Sequence, residues 1–396
     1  MTPRHQRHVA RRKVLFALGG AMAAAPAVAA LAPHALADTD RAAAAGSLPL
    51  TVVNDTGVFD DADVHVYIVG TQDGRQVRVT PDGTLAPVAL ADNGADGYTD
   101  YAIPLAASGG SGLSLPHLSG RIYVSLGAKL KFKVVTDGNG NPALQYPAGW
   151  VASDPNYPVL HDCAEFTYNP SGMFCNTTMV DMFSVPLSIR LTGAQDQTTG
   201  TLRASGRAGV FAALREVEEF APLVVDDRRV IAPGHGLDAG LFPADYLAPY
   251  IDEVWSTYTG KDLTVTTNAG TFTGRVRGGQ LVFDGPAQVS FARPSTRDVL
   301  FCDGTLAAPN DGTTGPVAAV LGAGFNRSTL VSSAAQPATD PAAFYRTALT
   351  NHYAKAVHAA TADGKAYGFA FDDVADFASY VQDTAPTGIR LTLTPF

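Results

Sequence analysis

The sequence feature that most constrains the fold is a series of short apolar runs between turn residues, from Leu48 to about Leu191. Residues 49–54 and 64–70 are rich in β-branched side chains and end in turn-forming residues. Within 121–135, apolar and polar residues alternate on both sides of a short break, which predicts a pair of strands in a hairpin. This part of the chain is therefore expected to be β-structure.

The spacing changes in the middle of the chain. Residues 207–220 and 244–258 carry apolar side chains three and four positions apart, which predicts two amphipathic helices. Residues 340–361 are predicted to form one long helix that begins at Asp340-Pro341. Short strands are expected at 262–266, 271–276, 280–283 and 388–395.

This order of elements predicts a mainly β fold with an α/β part. We expect a β-barrel or sandwich domain over 48–204, a mixed α/β domain inserted over 205–365, and closing strands over 366–396 that return to the first domain. Two such lobes leave an open groove between them, and a cleft between domains is a common ligand site.

The first residues are typical of an export signal. Arg11 and Arg12 precede a weakly apolar run of small residues, and Ala35-Leu36-Ala37 fits the A-x-A cleavage rule. Twin arginines in this position indicate a Tat-type signal peptide over 1–37, followed by a linker over 38–47. An ordinary Sec signal and a membrane anchor are the alternatives, but the run is short for a stable span. We predict a secreted protein with no membrane attachment after cleavage.

Cleavage would leave an acidic protein. The whole chain has 28 Lys and Arg against 37 Asp and Glu, and five of the basic residues lie in 1–37, so the remainder carries a net charge of −14. Such a balance argues against nucleic acid or an anionic membrane as a partner, and it is compatible with a neutral polysaccharide.

The cysteines allow at most one disulfide within the chain. Cys163 and Cys175 are close enough in sequence to be bridged, which would leave Cys302 over. A Tat substrate that folds before export also tolerates free thiols, so the pairing is left open. No C-x-x-C pair or histidine cluster indicates a metal, and no cofactor is expected.

Carboxylates are the best candidates for chemistry. The sequence contains no nucleophile elbow, dinucleotide-binding glycine motif, Walker A motif or H-E-x-x-H. If 164–169 is a strand, Glu165, Thr167 and Asn169 point to one face. Polar groups in a row would need partners in an apolar interior, so they suit a polar groove. The turn after Asn169 lets a second strand bring Asp181 back towards Glu165.

Glycoside hydrolysis uses such a pair of carboxyl groups. One, kept protonated, donates to the leaving oxygen, and the other activates water or attacks directly. A separation of about 6.5–9.5 Å inverts the anomeric centre, whereas about 5–5.5 Å gives retention. The alternative is that Glu165 and Asp181 are surface or ion-paired residues, because pairs of acids at any spacing are common in this chain.

The same segment resembles the catalytic segment of glycoside hydrolase family 64. The residues that carry the resemblance are Glu-Phe-Thr-Tyr-Asn at 165–169, Val-Asp-Met at 180–182 and Pro-Leu at 186–187. Further stretches similar to the family occur in the expected order across nearly all of the chain after the leader, at 50–56, 119–127, 323–328, 351–358 and 367–374.

The resemblance implies hydrolysis of β-1,3-glucan with inversion and without a cofactor, and in some members laminaripentaose as the main product. It implies a thaumatin-like β-barrel joined to an α/β domain by an open groove. By position, Glu165 is similar to the general acid of the family and Asp181 to its general base. Thr167, Asn169 and Thr178 resemble substrate contacts.

Two aromatic residues are candidate platforms for a sugar ring, Phe174 and Trp150. For Phe174, packing on the barrel as a turn residue is the alternative. Three other functions stay open at this point: a non-catalytic thaumatin-like protein that binds β-glucan, a glycosidase for β-1,4- or β-1,6-glucan, and a cofactor-dependent Tat substrate. We expect a monomer, because the groove must admit a long polymer.

Overall fold

The computed structural model describes residues 46–105 and 112–396. The predicted signal peptide over 1–37 and nearly all of the predicted linker over 38–47 lie outside the described residues. Within the described ranges, no helix combines the length and the apolar character that crossing a membrane requires.

Strands dominate the described residues. Those of the first half are β1 (Ser47–Asn54), β2 (Val64–Gln72), β3 (Arg75–Val79), β4 (Leu85–Pro87), β5 (Ile103–Pro104), β6 (Leu113–Pro116), β7 (Leu118–Leu126), β8 (Lys133–Thr136), β9 (Pro142–Gln145), β10 (Leu160–Asn169), β11 (Gly172–Asn176), β12 (Met182–Phe183), β13 (Leu187–Thr192) and β14 (Asp196–Thr199). Those of the second half are β15 (Val224–Val225), β16 (Arg229–Ile231), β17 (Leu263–Thr267), β18 (Gly270–Arg277), β19 (Gln280–Asp284), β20 (Val289–Ala292), β21 (Ala335–Gln336), β22 (Tyr380–Asp383) and β23 (Gly388–Leu393).

The described α-helices lie in the second half of the chain. They are α1 (Gly206–Arg215), α2 (Pro233–Asp238), α3 (Ala248–Gly260), α4 (Thr296–Phe301), α5 (Thr314–Asn326) and α6 (His352–Ala360). Short 3₁₀ helices occur at Asp61–Asp63, Leu90–Asp92, Ala221–Leu223, Gly304–Leu306 and Pro341–Ala343.

Two sheets share an apolar core. One has the strand order β14-β13-β23-β1-β6, and the other has the order β22-β11-β10-β7-β2-β3-β4 with β5 beside β2. Apolar residues alternate with more exposed ones along the strands, as at Ile389, Leu391 and Leu393 of β23, and side chains of both sheets meet in the core. The mainly β character is therefore confirmed. Among the described residues, neither strand order closes into a barrel.

The second half of the chain builds its own core around helices and the sheet β20-β19-β18-β17-β21. Helix α3 buries Ile251, Val254, Trp255 and Tyr258 in this core, so the stripe predicted there is confirmed. The helix has a proline in its first turn, where proline is favoured, and it ends at Gly260.

Two predicted helices are shorter in the structure. Helix α1 ends at Arg215, and a separate 3₁₀ helix follows at Ala221–Leu223. The predicted helix over 340–361 is wrong as one element: a 3₁₀ turn and α6 are separated by an irregular segment. Tyr345 in that segment is buried and has a left-handed φ of 56°. Asn351 then caps α6 by accepting a backbone N–H.

The predicted hairpin over 121–135 is wrong in its pairing. Strand β7 pairs with β2 and β10, whereas β8 pairs with β9 in a separate two-stranded sheet. Leu130, Phe132 and Val134 are buried as the alternation predicts, in a small core that they share with Tyr67 and Tyr123 of the long sheet. The reason for the error is that alternation shows which face of a strand is buried and does not name its partner.

All three cysteines are free and buried. Cys163 and Cys175 lie on neighbouring strands but pack into different cores on opposite sides of the sheet. Burial raises the pKa of both thiols, so they act as small apolar side chains. The disulfide that the sequence left open is absent.

Candidate active site

A row of polar side chains crosses the long sheet at the hairpin of β10 and β11. Glu165, Thr167 and Asn169 occupy alternate positions of β10 and share one face, while Phe166 packs in the sandwich core on the other. The register places Arg121 of β7 directly opposite Glu165, and residues opposed in this way share a face. The shared face predicted for the three β10 residues is present.

One guanidinium joins the two predicted catalytic carboxylates. Arg121 Nη2 lies 2.9 Å from Glu165 Oε1 and 3.5 Å from Asp181 Oδ2. Arg121 Nε also donates to Glu165 Oε1 over 3.2 Å. The side chains of Glu165 and Asp181 keep 14% and 20% of their surface exposed. The structure thus brings the two acids together and leaves both accessible from solvent.

Arg121 is a permanent positive charge in the site. Burial alone would lower its pKa, but attraction to acidic groups around it, among them Tyr123, Cys163 and the two carboxylates, outweighs burial and raises the pKa. Its Nη1 donates to Tyr123 Oη over 3.0 Å, which fixes the orientation of the guanidinium. The site therefore always contains a counter-charge for a carboxylate.

Asp181 is positioned by the second half of the chain. It lies between β11 and β12, where its carbonyl oxygen accepts a hydrogen bond from Ala232 N over 3.1 Å. Nearby, Met179 N donates to Tyr367 O over 2.8 Å, and Met179 O accepts from Tyr353 Oη over 2.5 Å. These contacts to distant residues fix the backbone on which the Asp181 side chain stands.

A histidine and a tryptophan form the side of the site next to Asp181. His235 of α2 places Nε2 3.0 Å from Asp181 Oδ1. Its ring stacks on Trp150, with the centroids 4.4 Å apart and the planes at 22°. The carbonyl of Gly149 accepts from Arg229 Nη1 over 2.5 Å, which holds the loop that carries Trp150. A Cβ on Gly149 would lie 2.2 Å from that nitrogen, so the close approach requires glycine.

Two more ionisable groups line the pocket behind the carboxylates. Asp162 accepts backbone N–H groups of Ser184 and Val185 over 2.9 and 3.2 Å, and burial raises its pKa to about 7. Burial and the charge of Arg229 lower the pKa of His161 to about 3, so this ring is neutral. The contacts of Asp162 tie β10 to the turn before β13, which is a structural role.

The other predicted site residues surround the carboxylates. The Thr167 and Ser119 hydroxyls are hydrogen-bonded over 2.7 Å, and Asn169 Oδ1 accepts the N–H two residues on over 2.8 Å, at the hairpin turn. Phe174 is half-buried directly opposite Thr167. Thr178 is buried in the wall of the pocket that also contains Trp150. All five residues predicted for substrate therefore lie on the hairpin or around this pocket.

Two residues of the site were missed from sequence, Arg121 and His235. Arg121 carries a signal in the sequence. The apolar residues Ile122 and Val124 alternate along the strand and are expected to face the core, so Arg121 belongs to the opposite face. His235 carries none, since it reaches Asp181 only through tertiary packing. Within the described part of the chain, no group of three His, Cys, Asp or Glu side chains is arranged to hold a metal ion.

A comparison with protein families matches almost the whole described chain. Residues 46–393 fit the family model Glyco_hydro_64, which is described as β-1,3-glucanase. The chain belongs to glycoside hydrolase family 64. The resemblance predicted from the motifs is confirmed by this match.

Relatives of known structure or curated name agree with the family. The glucan endo-1,3-beta-glucosidase of Cellulosimicrobium cellulans is 34% identical over 366 residues, and the chain spans 65% of that relative's length and aligns over 88% of its own. A laminaripentaose-producing β-1,3-glucanase, crystallised with laminaritetraose, is 39% identical with a TM-score of 0.80, over 89% of this chain and 99% of that one. A family 64 β-1,3-glucanase domain from Clostridium beijerinckii is 30% identical with a TM-score of 0.81, over 90% and 100%.

Proposed function

We propose that this family 64 protein is a secreted, endo-acting glycoside hydrolase that cleaves β-1,3-glucan. The observation that carries the proposal is the pair Glu165 and Asp181, joined by one arginine and accessible from solvent. The relatives support the substrate, because one is named a glucan endo-1,3-beta-glucosidase and another is a laminaripentaose-producing β-1,3-glucanase. The expected products are short β-1,3 oligosaccharides such as laminaripentaose.

In the proposed reaction Glu165 is the general acid and Asp181 is the general base. Asp181 takes a proton from a water molecule, whose oxygen attacks the anomeric carbon on the side opposite the leaving sugar. Glu165 gives its proton to the glycosidic oxygen as the bond from the anomeric carbon to that oxygen breaks. One water is consumed, the configuration at the anomeric carbon inverts, and no cofactor takes part.

Arg121 suits this exchange of protons. Before the reaction Asp181 is charged and Glu165 is neutral, and afterwards the charges are reversed, so the pair keeps one negative charge throughout. A fixed guanidinium in contact with both carboxylates stabilises the charge on either of them. The proposal therefore gives Arg121 a role in the reaction that was not expected from the sequence.

The substrate contacts are part of the proposal. Thr167, Asn169 and Thr178 would hydrogen-bond to glucan hydroxyls, and Phe174 and Trp150 would pack on glucose rings. Phe174 flanks the strand of the acid, and Trp150 is close to the base through its stack on His235. An aromatic ring thus lies near each carboxylate.

The finer architecture is also proposed. We assign the sandwich to a thaumatin-like barrel domain over 48–204 with closing strands over 366–396, and an inserted α/β domain over 205–365. The pairing of β23 with both β1 and β13 supports this division. Residues 1–37 would act as a Tat-type signal peptide, and the exported protein would be a monomer without nucleic acid or membrane as a partner.

The test is the product profile on insoluble β-1,3-glucan for the wild type, Glu165→Gln and the exposed control Glu218→Gln. We expect discrete β-1,3 oligosaccharides from the wild type and the control, and a rate about 10²- to 10⁴-fold lower for Glu165→Gln. NMR of fresh products should show the α-anomer first, because inversion converts the β-linkage.

If the wild type binds glucan and releases nothing, the non-catalytic alternative replaces the proposal. If the wild type cleaves β-1,4- or β-1,6-glucan faster than β-1,3-glucan, the proposed linkage specificity is wrong.

A further inference from the structure

His235 is held in one orientation beside Asp181. Only 9% of its side chain is exposed, and its ring lies between Trp150 on one face and the ring of Phe301, 5.4 Å away and nearly perpendicular. The backbone is also fixed, because His235 lies in α2 and its carbonyl accepts from Ala239 N over 3.0 Å. The ring therefore presents Nε2 to the carboxylate without freedom to turn away.

The two oxygens of Asp181 contact different donors. Oδ2 faces the guanidinium of Arg121 at 3.5 Å, and Oδ1 faces His235 Nε2 at 3.0 Å. An ionised carboxylate only accepts hydrogen bonds, so the histidine must be protonated on Nε2 for this contact to be favourable. Two donors from different directions fix the rotation of the carboxylate about the Cβ–Cγ bond of Asp181.

We propose that His235 is a positioning residue for Asp181, which donates its Nε2–H to Oδ1 and so aims the carboxylate at the attacking water and favours its ionised form. The inference rests on the proposed function of Asp181 as the general base. It also gives the α/β part of the chain a share in the reaction, since His235 comes from α2 while Glu165 comes from the sheet.

The ionisation of Asp181 depends on several neighbours besides His235. Arg121 contacts it directly, and Glu165 shares that arginine. The other titratable groups close to the carboxylate are Tyr123, His161, Asp162, Cys163 and Tyr353. None of these groups is itself changed in a His235 variant, so a shift of its pH profile that His235→Gln reverses reports on the donor beside Asp181.

The test compares His235→Ala and His235→Gln with the wild type on soluble β-1,3-glucan. The amide nitrogen of glutamine can replace the Nε2–H donor, whereas alanine cannot. We expect His235→Ala to lower kcat roughly 10- to 100-fold, the range for losing one hydrogen bond to a charged group, with KM changed less than about threefold. The acidic limb of the pH profile should move to higher pH, since the charged form of Asp181 loses a donor. His235→Gln should recover kcat to within about fivefold of the wild type and restore the limb.

Three controls separate the possible failures. Thermal melting shows that each variant folds, and His352→Gln on α6 serves as a matched substitution away from the site. A wild-type kcat and pH profile for His235→Ala would overturn the inference. So would a folded His235→Gln with a kcat more than about tenfold below the wild type, and this variant decides the case if His235→Ala does not fold. Asp181→Asn tests the proposed function itself, because full activity there would show that the base is wrong.

Discussion

Two clusters in this molecule combine the same kinds of side chain in different surroundings. The accessible cluster contains Arg121, Glu165, Asp181 and His235. The buried cluster contains Arg327, His358 and Asp372. Both place an arginine and a histidine on an aspartate, so the residue types alone do not tell which of the two clusters can act on a substrate.

In the buried cluster, every contact serves the fold. Asp372 has no exposed surface, and it accepts from Arg327 Nη2 over 3.0 Å, from His358 Nε2 over 2.8 Å and from Gly368 N over 2.9 Å. Arg327 also donates to backbone carbonyls and lies over the rings of Phe344, Phe369 and Phe377. The carboxylate is surrounded by fixed donors and cannot meet a polymer.

The accessible cluster differs from the buried cluster in two ways. Its two carboxylates share one guanidinium, and both keep exposed surface. A carboxyl group in this setting can exchange its proton with a bound substrate or water, which a fully enclosed carboxylate cannot do. The comparison teaches that the sharing of a counter-charge and access to solvent separate a candidate active site from a structural ion pair.

Among the substitutions that compare the two clusters, Arg121→Met is expected to have the largest effect on activity. The variant should lose about 10²- to 10³-fold in kcat/KM at neutral pH, because the charge exchanged between the carboxylates loses its partner. The acidic limb of the pH profile should move to higher pH, since both carboxylates lose a neighbour that favours the charged form. The melting temperature should change little, because the carboxylates remain accessible to water. Arg190→Met, at an exposed ion pair, is the control, and wild-type kinetics in Arg121→Met would contradict the role of the shared charge.

The same substitution in the buried cluster should act on stability instead. Arg327→Met leaves Asp372 charged and enclosed, and breaking a buried pair in this way costs about 3–5 kcal/mol. Urea unfolding measures the loss, and activity per folded molecule should stay at the wild-type level. If this variant is as stable as the wild type but inactive, the division between the two clusters is wrong.

The smallest expected effect is a pH dependence of stability that comes from His358. Burial alone would lower its pKa, but Asp372 and the carbonyl of Gly364 outweigh burial and raise it above 6.5. A raised folded-state pKa stabilises the fold fully below the unfolded pKa, and this contribution is lost as the pH rises through the folded pKa. Each unit of difference corresponds to about 1.4 kcal/mol.

Urea unfolding of the wild type and His358→Gln between pH 5 and 9 measures this contribution. The difference between the two proteins should shrink as the pH rises. Asp162, with a pKa raised to about 7, makes both proteins less stable as the pH approaches 7, so it cancels in the difference. A difference that stays constant across the range would contradict a charged His358 in the folded state.

The elements of the fold were easier to predict than their partners. The stripe of α3 and the phase of β10 follow from local spacing, and both are present in the structure. The separation of β8 from β7 and the break in the helix expected over 340–361 were not predicted. They depend on a separate small core and on the burial of Tyr345, which no local pattern contains.

The candidate site shows the same limit. Glu165, Thr167 and Asn169 share a face because side chains in a strand alternate with a period of two, and the motif around them indicated the family. His235 was not predictable, since its contact joins Asp181 to a short helix that lies far along the chain. Asp372 could not be told from a residue of the accessible cluster until the structure showed it enclosed by Arg327 and His358.

By itself, the sequence determined the mainly β character, the family and the face on which Glu165 lies, because periodicity and motifs are properties of neighbouring residues. Only the tertiary structure decided that Arg121 joins Glu165 to Asp181, that His235 lies beside Asp181, and that Asp372 is enclosed. Contacts between distant residues depend on the free energy of packing the whole chain, and so does the exposure that separates the two clusters.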